Sequence, residues 1–225
     1  MIKKDKRIVL MGAPASGKGT WSKIITEKYA LEHLSTGDLL RKFRKKDTAL
    51  ARKIGSYMDR GALVPDDIVI GMVDDLLTEG EAKDGFVFDG FPRTLPQAEA
   101  LDLILEHHGE SLDLVIDLDV DEQILVDRVV YRRVCIDCGQ PYNLKTAAMR
   151  PKVEGVCDQC NGKLIQRSDD TEETFMERLK AYHDQADPLL DYYEKQGKRV
   201  AFPCSEMTEQ TRREMFELIE EKLSL

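Results

Sequence analysis

The most constraining feature lies near the start of the chain. A short apolar run (residues 8–11) leads into GAPASGK (12–18), and a helical stretch follows over residues 20–30. Strand, glycine turn and helix in that order open an α/β nucleotide-binding fold. Glycines let the backbone curl so that successive N–H groups point at an anion. The helix adds the positive end of its dipole, and Lys18 adds a point charge for the outer phosphates. Residues 15–20 (Ala15, Ser16, Gly17, Lys18, Gly19, Thr20) are the candidate phosphate-binding segment. The strict motif has Ser or Thr directly after Lys; here Gly19 intervenes and Thr20 comes second.

The remainder alternates in the same manner. Ser35 reads as the cap of a helix that starts STGD (35–38), and a charged helical stretch runs from there to about Arg60, with Gly61 ending it. Pro65 and Asp66 open a helix with Ile68, Val69, Met72, Val73, Leu76 and Leu77 on one face. Residues 86–88 form a short buried strand that stops at Asp89. Strand 114–120, helix 121–133, a long helix from 170 or 171 to 195, strand 199–202 and helix 208–223 complete the series. Strands alternating with helices predict a parallel sheet covered on both faces.

Composition narrows the function. The 225 residues suit one large domain, or one core with small insertions. With 33 Lys+Arg against 42 Asp+Glu the net charge is -9, so a broad basic field for nucleic acid is not expected. No apolar run approaches the roughly 18–20 residues of a membrane span. The basic start MIKKDKR lacks the apolar stretch and small-residue cleavage site of a secretory signal.

Residues 135–166 change character, with two CxxC pairs among prolines and glycines. Cys135 and Cys138, then eighteen residues, then Cys157 and Cys160 fit four-cysteine zinc spacing. Such pairs close a tetrahedral site with no open position, so its role is structural; zinc is expected, and iron remains an alternative. Cys204 is left over without a role, and Trp21 reads as packing.

Asp89, at the end of a buried strand beside a phosphate loop, is placed to orient Mg²⁺ directly or through water. Arg suits phosphate because its fork binds in bidentate fashion. Arg128 and Arg132 are four apart on the helix predicted over 121–133 and so share its face. Arg93, Arg167 and Arg178 are further candidates. No motif for a dedicated catalytic base stands out, which suits an acceptor that is itself an ionised phosphate oxygen.

Together these residues resemble the adenylate kinase family, in its long form with a zinc-bearing lid. The resemblance rests on GAPASGKGT (12–20), STGDLLR (35–41), GALV (61–64), DGFPRT (89–94) with Gln97, DR…RR (127–133) and RSDDTEET…RL (167–179). It implies the P-loop fold and the reaction ATP + AMP ⇌ 2 ADP with Mg²⁺. Lys18, Asp89, Arg93, Arg128, Arg132, Arg167 and Arg178 would be catalytic. The phosphate loop, Arg128, Arg132, Pro141 and Tyr142 would hold ATP. Thr36, Arg41, Ala62, Leu63, Val64, Gly90, Phe91, Pro92, Arg93, Gln97, Arg167 and Arg178 would hold AMP. Residues 1–34, 65–130 and 171–225 would form the core, 35–64 the AMP-binding domain and 131–170 the lid. A cytoplasmic monomer with no protein, nucleic-acid or membrane partner is implied. Gln97 also matches a capping box with Thr94, and both roles stay open. Tyr131, Trp21 and FPCS (202–205) depart from the family pattern. A kinase for UMP, CMP or GMP is one alternative; a nucleotide-switched zinc-ribbon binding protein is another.

Overall fold

The computed structural model describes residues 6–80 and 82–224. Most of the basic start, which was read as carrying no secretory signal, lies outside the described residues. Strands β1 (Arg7–Gly12), β2 (Glu32–Ser35), β3 (Phe86–Asp89), β4 (Leu114–Asp119) and β8 (Arg199–Pro203) form one sheet in the order β2-β3-β1-β4-β8, with every pairing parallel. Successive side chains of a strand point to opposite faces. Thus Ile8 and Leu10 join an apolar cluster on one face, and Val9 and Met11 join another on the opposite face.

Helices cover both faces. The first cluster receives Trp21 and Ile25 from α1 (Lys18–Tyr29), Leu125 and Val129 from α6 (Glu122–Val130), and Met215 and Ile219 from α8 (Glu209–Lys222). The second receives Val69 and Val73 from α4 (Asp66–Thr78) and Leu101 and Leu105 from α5 (Leu95–His107). The helix α7 (Glu172–Lys195) is long enough to serve both. Phe175 and Leu179 pack in the first cluster, Leu189 and Tyr193 in the second. The parallel, doubly covered sheet expected from the sequence is therefore present.

Three local expectations are corrected. The stretch read as one helix from 35 to about 60 is two, α2 (Thr36–Phe43) and α3 (Ala49–Asp59), because Thr48 takes an extended conformation and caps a new helix at the Ala51 N–H, 3.0 Å away. Strand β2 was not foreseen; it is an edge strand with only Leu34 fully buried, so it shows no apolar run. The helix expected to reach Arg133 stops at Val130. Arg132 lies instead on β5 (Arg132–Cys135), which pairs antiparallel with β6 (Pro141–Asn143) and β7 (Leu164–Ile165). Sheet pairing overrides helical propensity here, and Arg128 and Arg132 do not share a helix face.

Candidate active site

In a parallel sheet the C-terminal ends of the strands share one edge, where ligands of open α/β folds bind. Gly12, Ser35, Asp89 and the turn after Pro203 all lie there. The phosphate loop leaves β1 at Gly12, whose φ of 133° no side chain adopts comfortably; a Cβ would also stand 2.7 Å from the Leu118 carbonyl oxygen. Gly17, at φ 105°, begins α1 with no side-chain cap, so the N–H groups of Lys18 and Gly19 in the first turn have no capping side chain, while that of Thr20 bonds to the Gly17 carbonyl (3.0 Å). Lys18 Nζ folds back over the loop and donates to the carbonyls of Gly12 (2.7 Å) and Ala13 (2.8 Å) and to Ser16 Oγ (3.3 Å). Burial, working against Asp89 and reinforced by Arg93, Arg178 and Arg132, pulls its pKa down to about 7.

Gly19 now has a reason. A Cβ at this position would sit 3.2 Å from Asp89 Oδ2, so glycine lets the helix pass close to the carboxylate. Burial works to raise the Asp89 pKa, but His33, Lys18 and Arg93 together hold it below the usual range. The carboxylate is therefore kept ionised, with His33 Nε2 at 3.8 Å. An anionic oxygen donor beside a phosphate cradle fits Mg²⁺, which takes one or two carboxylates and completes its shell with phosphates and water.

A second pocket opens beside the loop. Its walls include Thr36, Arg41, Ala62, Leu63, Val64, Gly90, Arg93, Gln97 and Arg178. Thr36 Oγ1 donates to the Gly90 carbonyl (2.8 Å), and Arg93 Nε donates to the same oxygen (2.8 Å). Gly90, with φ 81°, leaves the space these contacts need. Gln97 serves the helix start first: its Oε1 accepts from the Arg93 N–H (2.8 Å), and its Nε2 donates to Asp66 Oδ1 (2.7 Å). Thr94 Oγ1 accepts from the Gln97 N–H, completing the cap. Phe91 is fully buried and packs on Phe88 at 5.5 Å, and Pro92 is buried as well, so neither side chain lines the pocket.

Carboxylates hold the arginines apart. Arg132 pairs bidentately with the fully buried Asp170, with Nε to Oδ2 at 2.9 Å and a second contact from Nη2 to Oδ1. Arg178 meets Asp169 at 3.0 Å. Arg41 meets Asp38 at 2.7 Å, and Arg167 lies 3.9 Å from the same carboxylate. Burial and then neighbouring arginines lower Arg167 and Arg178 to about 10, as cations crowded together require. Arg128 instead donates to the carbonyls of Ala15 and Ser16 in the phosphate loop and to that of Ser205. It braces the loop against the turn after β8.

Two of the departures noted in the sequence, Trp21 and residues 202–205, meet one another. Trp21 is fully buried, contacts Phe202 edge-on at 5.8 Å, and donates its indole N–H to Cys204 Sγ at 2.9 Å. Tyr131 closes α6 just before β5 at φ -92°, a conformation that needs no glycine.

The four lid sulfurs lie within 4.8 Å of one another. Cys135 and Cys160 approach to 3.4 Å, and Cys138 and Cys157 to 3.6 Å. A tetrahedron with zinc–sulfur bonds of about 2.3 Å has edges of about 3.8 Å. The set therefore fits a closed four-thiolate site, whereas a disulfide would need sulfurs about 2.0 Å apart. Pro141 opens β6 opposite Val134, and Tyr142 turns its ring into this cluster.

Sequence reasoning missed the counter-charges Asp169 and Asp170 and the neighbour His33. Asp169 and Asp170 were visible only as the residues after Arg167, and their partners sit on other elements.

The comparisons agree with this geometry. A family model described as Adenylate kinase matches residues 10–198. Curated proteins named adenylate kinase are similar over most of the chain. That of Clostridioides difficile is 50% identical over 191 residues, covering 85% of this chain and 88% of the relative. That of Acetivibrio thermocellus is 45% identical over 209 residues (93% and 95%), and that of Ruminiclostridium cellulolyticum 47% over 211 residues (93% and 97%). A family model that matches residues 10–198, with relatives 45–50% identical over most of the chain, makes the chain a member of the adenylate kinase family.

Proposed function

We propose that the chain catalyses reversible phosphoryl transfer from Mg·ATP to AMP, giving two ADP. One observation carries the reading. The phosphate loop and the second pocket meet over shared cations, since Lys18 is within electrostatic reach of Arg93, Arg132 and Arg178, and Arg93 and Arg178 also line the pocket. Phosphoryl transfer needs in-line placement of two phosphates and cations around the moving group, and little covalent work.

In this reading the ATP phosphates lie on the N–H groups of residues 15–20, with Lys18 turning from its carbonyl partners to the outer phosphates. Arg41 and Arg93 grip the AMP phosphate, whose oxygen attacks already ionised. Thr36, residues 62–64 and Gln97 face the AMP nucleoside. Arg132, Arg167 and Arg178 gather around the transferred group. Mg²⁺ bound with ATP supplies charge neutralisation across the phosphates, with Asp89 as the residue that would hold it. Segments 35–64 and 131–170 close over the core of 1–34, 65–130 and 171–225, excluding water that would otherwise accept the phosphoryl group. Pro141 and Tyr142 place the lid strand over ATP. The assay is transfer from Mg·ATP to AMP, UMP, CMP and GMP, read as diphosphate. Strong preference for AMP is expected. Preference for another acceptor would overturn the roles of Thr36 and Gln97, and no transfer to any would sink the enzyme reading.

The four-cysteine lid site takes zinc as a structural ion, which stiffens a lid too small for a core of its own. Elemental analysis is expected to give one zinc per chain, and chelation to lower the melting temperature; protein made with zinc present and found without it would remove this role. The five thiols are unpaired, which suits a reducing cytoplasm, and no helix among the described residues is long and apolar enough to cross a membrane. The protein acts as a monomer, testable by light scattering.

Lys18 also predicts a pH effect. Its pKa is about 7 in the free protein, and bound phosphates raise it, so nucleotide binding at pH 8 takes up a proton. Affinity for ATP is then fullest below pH 7 and weakens as pH rises through it. Calorimetry in buffers of different ionisation enthalpy checks this; no proton uptake at pH 8 would contradict it.

A further inference from the structure

Tyr142 lies in the lid strand assigned above to ATP, yet its hydroxyl is engaged elsewhere. The residue is only 6% exposed and packs with Cys135, Cys157 and Leu164. Its Oη accepts the Asp158 N–H at 2.7 Å and stands 3.4 Å from Cys157 Sγ. A phenol has one hydrogen to give. Once Cys157 binds a metal its sulfur is a thiolate and can only accept, so the O–H donates to it.

The position of Tyr142 in the sheet gives this contact a consequence. It pairs with Arg133 across the β5–β6 ladder, and the next residue, Asn143, pairs with Arg132. Asn143 is buried; its Nδ2 reaches the carbonyls of Asp127 (3.5 Å) and Arg128 (3.4 Å) at the end of α6, and its Oδ1 accepts the N–H groups of Lys145 and Thr146. One end of this short strand is thus fixed to the cysteine cluster, the other to the end of α6.

We propose that Tyr142 is a positioning residue of the four-cysteine site, its O–H holding the Cys157 thiolate and so tying the metal to the strand pair that carries Arg132. The proposal rests on the zinc reading above. It goes beyond the lid's resemblance to its family, because it assigns the hydroxyl to the metal and leaves only the ring and backbone of Tyr142 for a nucleotide. Partners of this kind in the outer shell of a metal fix ligand orientation and typically change metal affinity by about 10–100-fold when removed.

The test uses the full-length protein loaded with zinc, and a second sample loaded with Co²⁺. Tyr142→Phe keeps the ring and removes the hydroxyl. The variant is expected to bind one metal per chain, to release zinc to a chromophoric chelator at least about tenfold faster than wild type, and to shift the sulfur-to-cobalt charge-transfer band to lower energy. A second variant carries 3-fluorotyrosine at position 142, which keeps fold and hydroxyl but makes the O–H a stronger donor; the band is expected to move the opposite way. Release within twofold of wild type with an unmoved band in both variants overturns the proposal, even if Tyr142→Phe melts lower, since lost packing alone would do that. Wild-type protein that binds no metal would instead overturn the zinc reading, and this role with it.

Discussion

Lys18→Ala is expected to lower turnover by about 10²–10³-fold or more while the protein melts at or above the wild-type temperature. The first effect follows from removing a preorganised cation at the transferred phosphates. The second follows from the environment of Lys18 in the free protein, where burial, reinforced by Arg93, Arg178 and Arg132, pulls its pKa from 10.5 to about 7. The sign is unfavourable. A base whose folded pKa is depressed destabilises the fold while charged, fully so below pH 7, and the penalty lifts as pH rises from 7 toward 10.5. Each unit of such a shift corresponds to about 1.4 kcal/mol, so the whole shift is of the same order as the three part-buried hydrogen bonds that Lys18 makes to Gly12, Ala13 and Ser16 and offsets their loss. Turnover and thermal melting at pH 7 and pH 9 check both halves. Near-normal turnover would remove Lys18 from the phosphate site. A variant melting well below wild type would mean that the contacts to Gly12, Ala13 and Ser16 matter more to the fold than the buried charge harms it.

Arg132→Lys is expected to lose turnover by about 10–100-fold, although the charge is kept. Arg132 faces the fully buried Asp170 with two donors at once. A lysine offers a point charge on a flexible stem, so it can neutralise Asp170 or reach a phosphate, but cannot hold the plane that serves both. Arg132→Ala should be worse in a second respect. It strands a buried carboxylate, and removing one partner of a buried pair typically destabilises by about 3–5 kcal/mol. Comparing kcat for the two variants, together with their melting temperatures, separates the roles. Full turnover in Arg132→Lys would reduce Arg132 to a structural counter-ion of Asp170.

Much of the fold was legible because it rests on local signals. The apolar strand before GAPASGK, the one-sided helix 66–78 and the paired CxxC turns each announce themselves within a dozen residues. What stayed hidden was decided by distant partners. Leu34 is the single buried residue of β2, and the strand exists because Phe86–Asp89 offers it an edge. Arg132 leaves the helix because residues 141–143 and 164–165 draw its segment into a sheet. The same divide runs through the site. Motif spacing located the phosphate loop and the cysteines, and the family resemblance supplied most of the second pocket. Asp169 and Asp170 were passed over because carboxylates in an acidic chain look like solvated charge until their partners are known. Gly19 departed from the strict motif and matched the family pattern; the physical reason for it, the Asp89 carboxylate beside it, lay on another strand.

The strand order also sets a timetable for folding. Central strand β1 leaves the ribosome first, but its neighbours β3 and β4 lie some 80 and 105 residues later, and edge strand β8 closes only at residues 199–203. Contacts so distant in sequence form slowly, because a long loop must be closed before any of them can contribute. A nascent chain of this protein therefore carries an apolar, unpaired β1 until residues 86–89 are made, and β1 stays unpaired on its other edge until residues 114–118 follow. The lid, by contrast, draws its ligands from residues 135–160 and can close around a metal as soon as it emerges. Chains truncated between residues 170 and 195, which hold all four cysteines but lack β8, are expected to bind zinc although they cannot hold nucleotide.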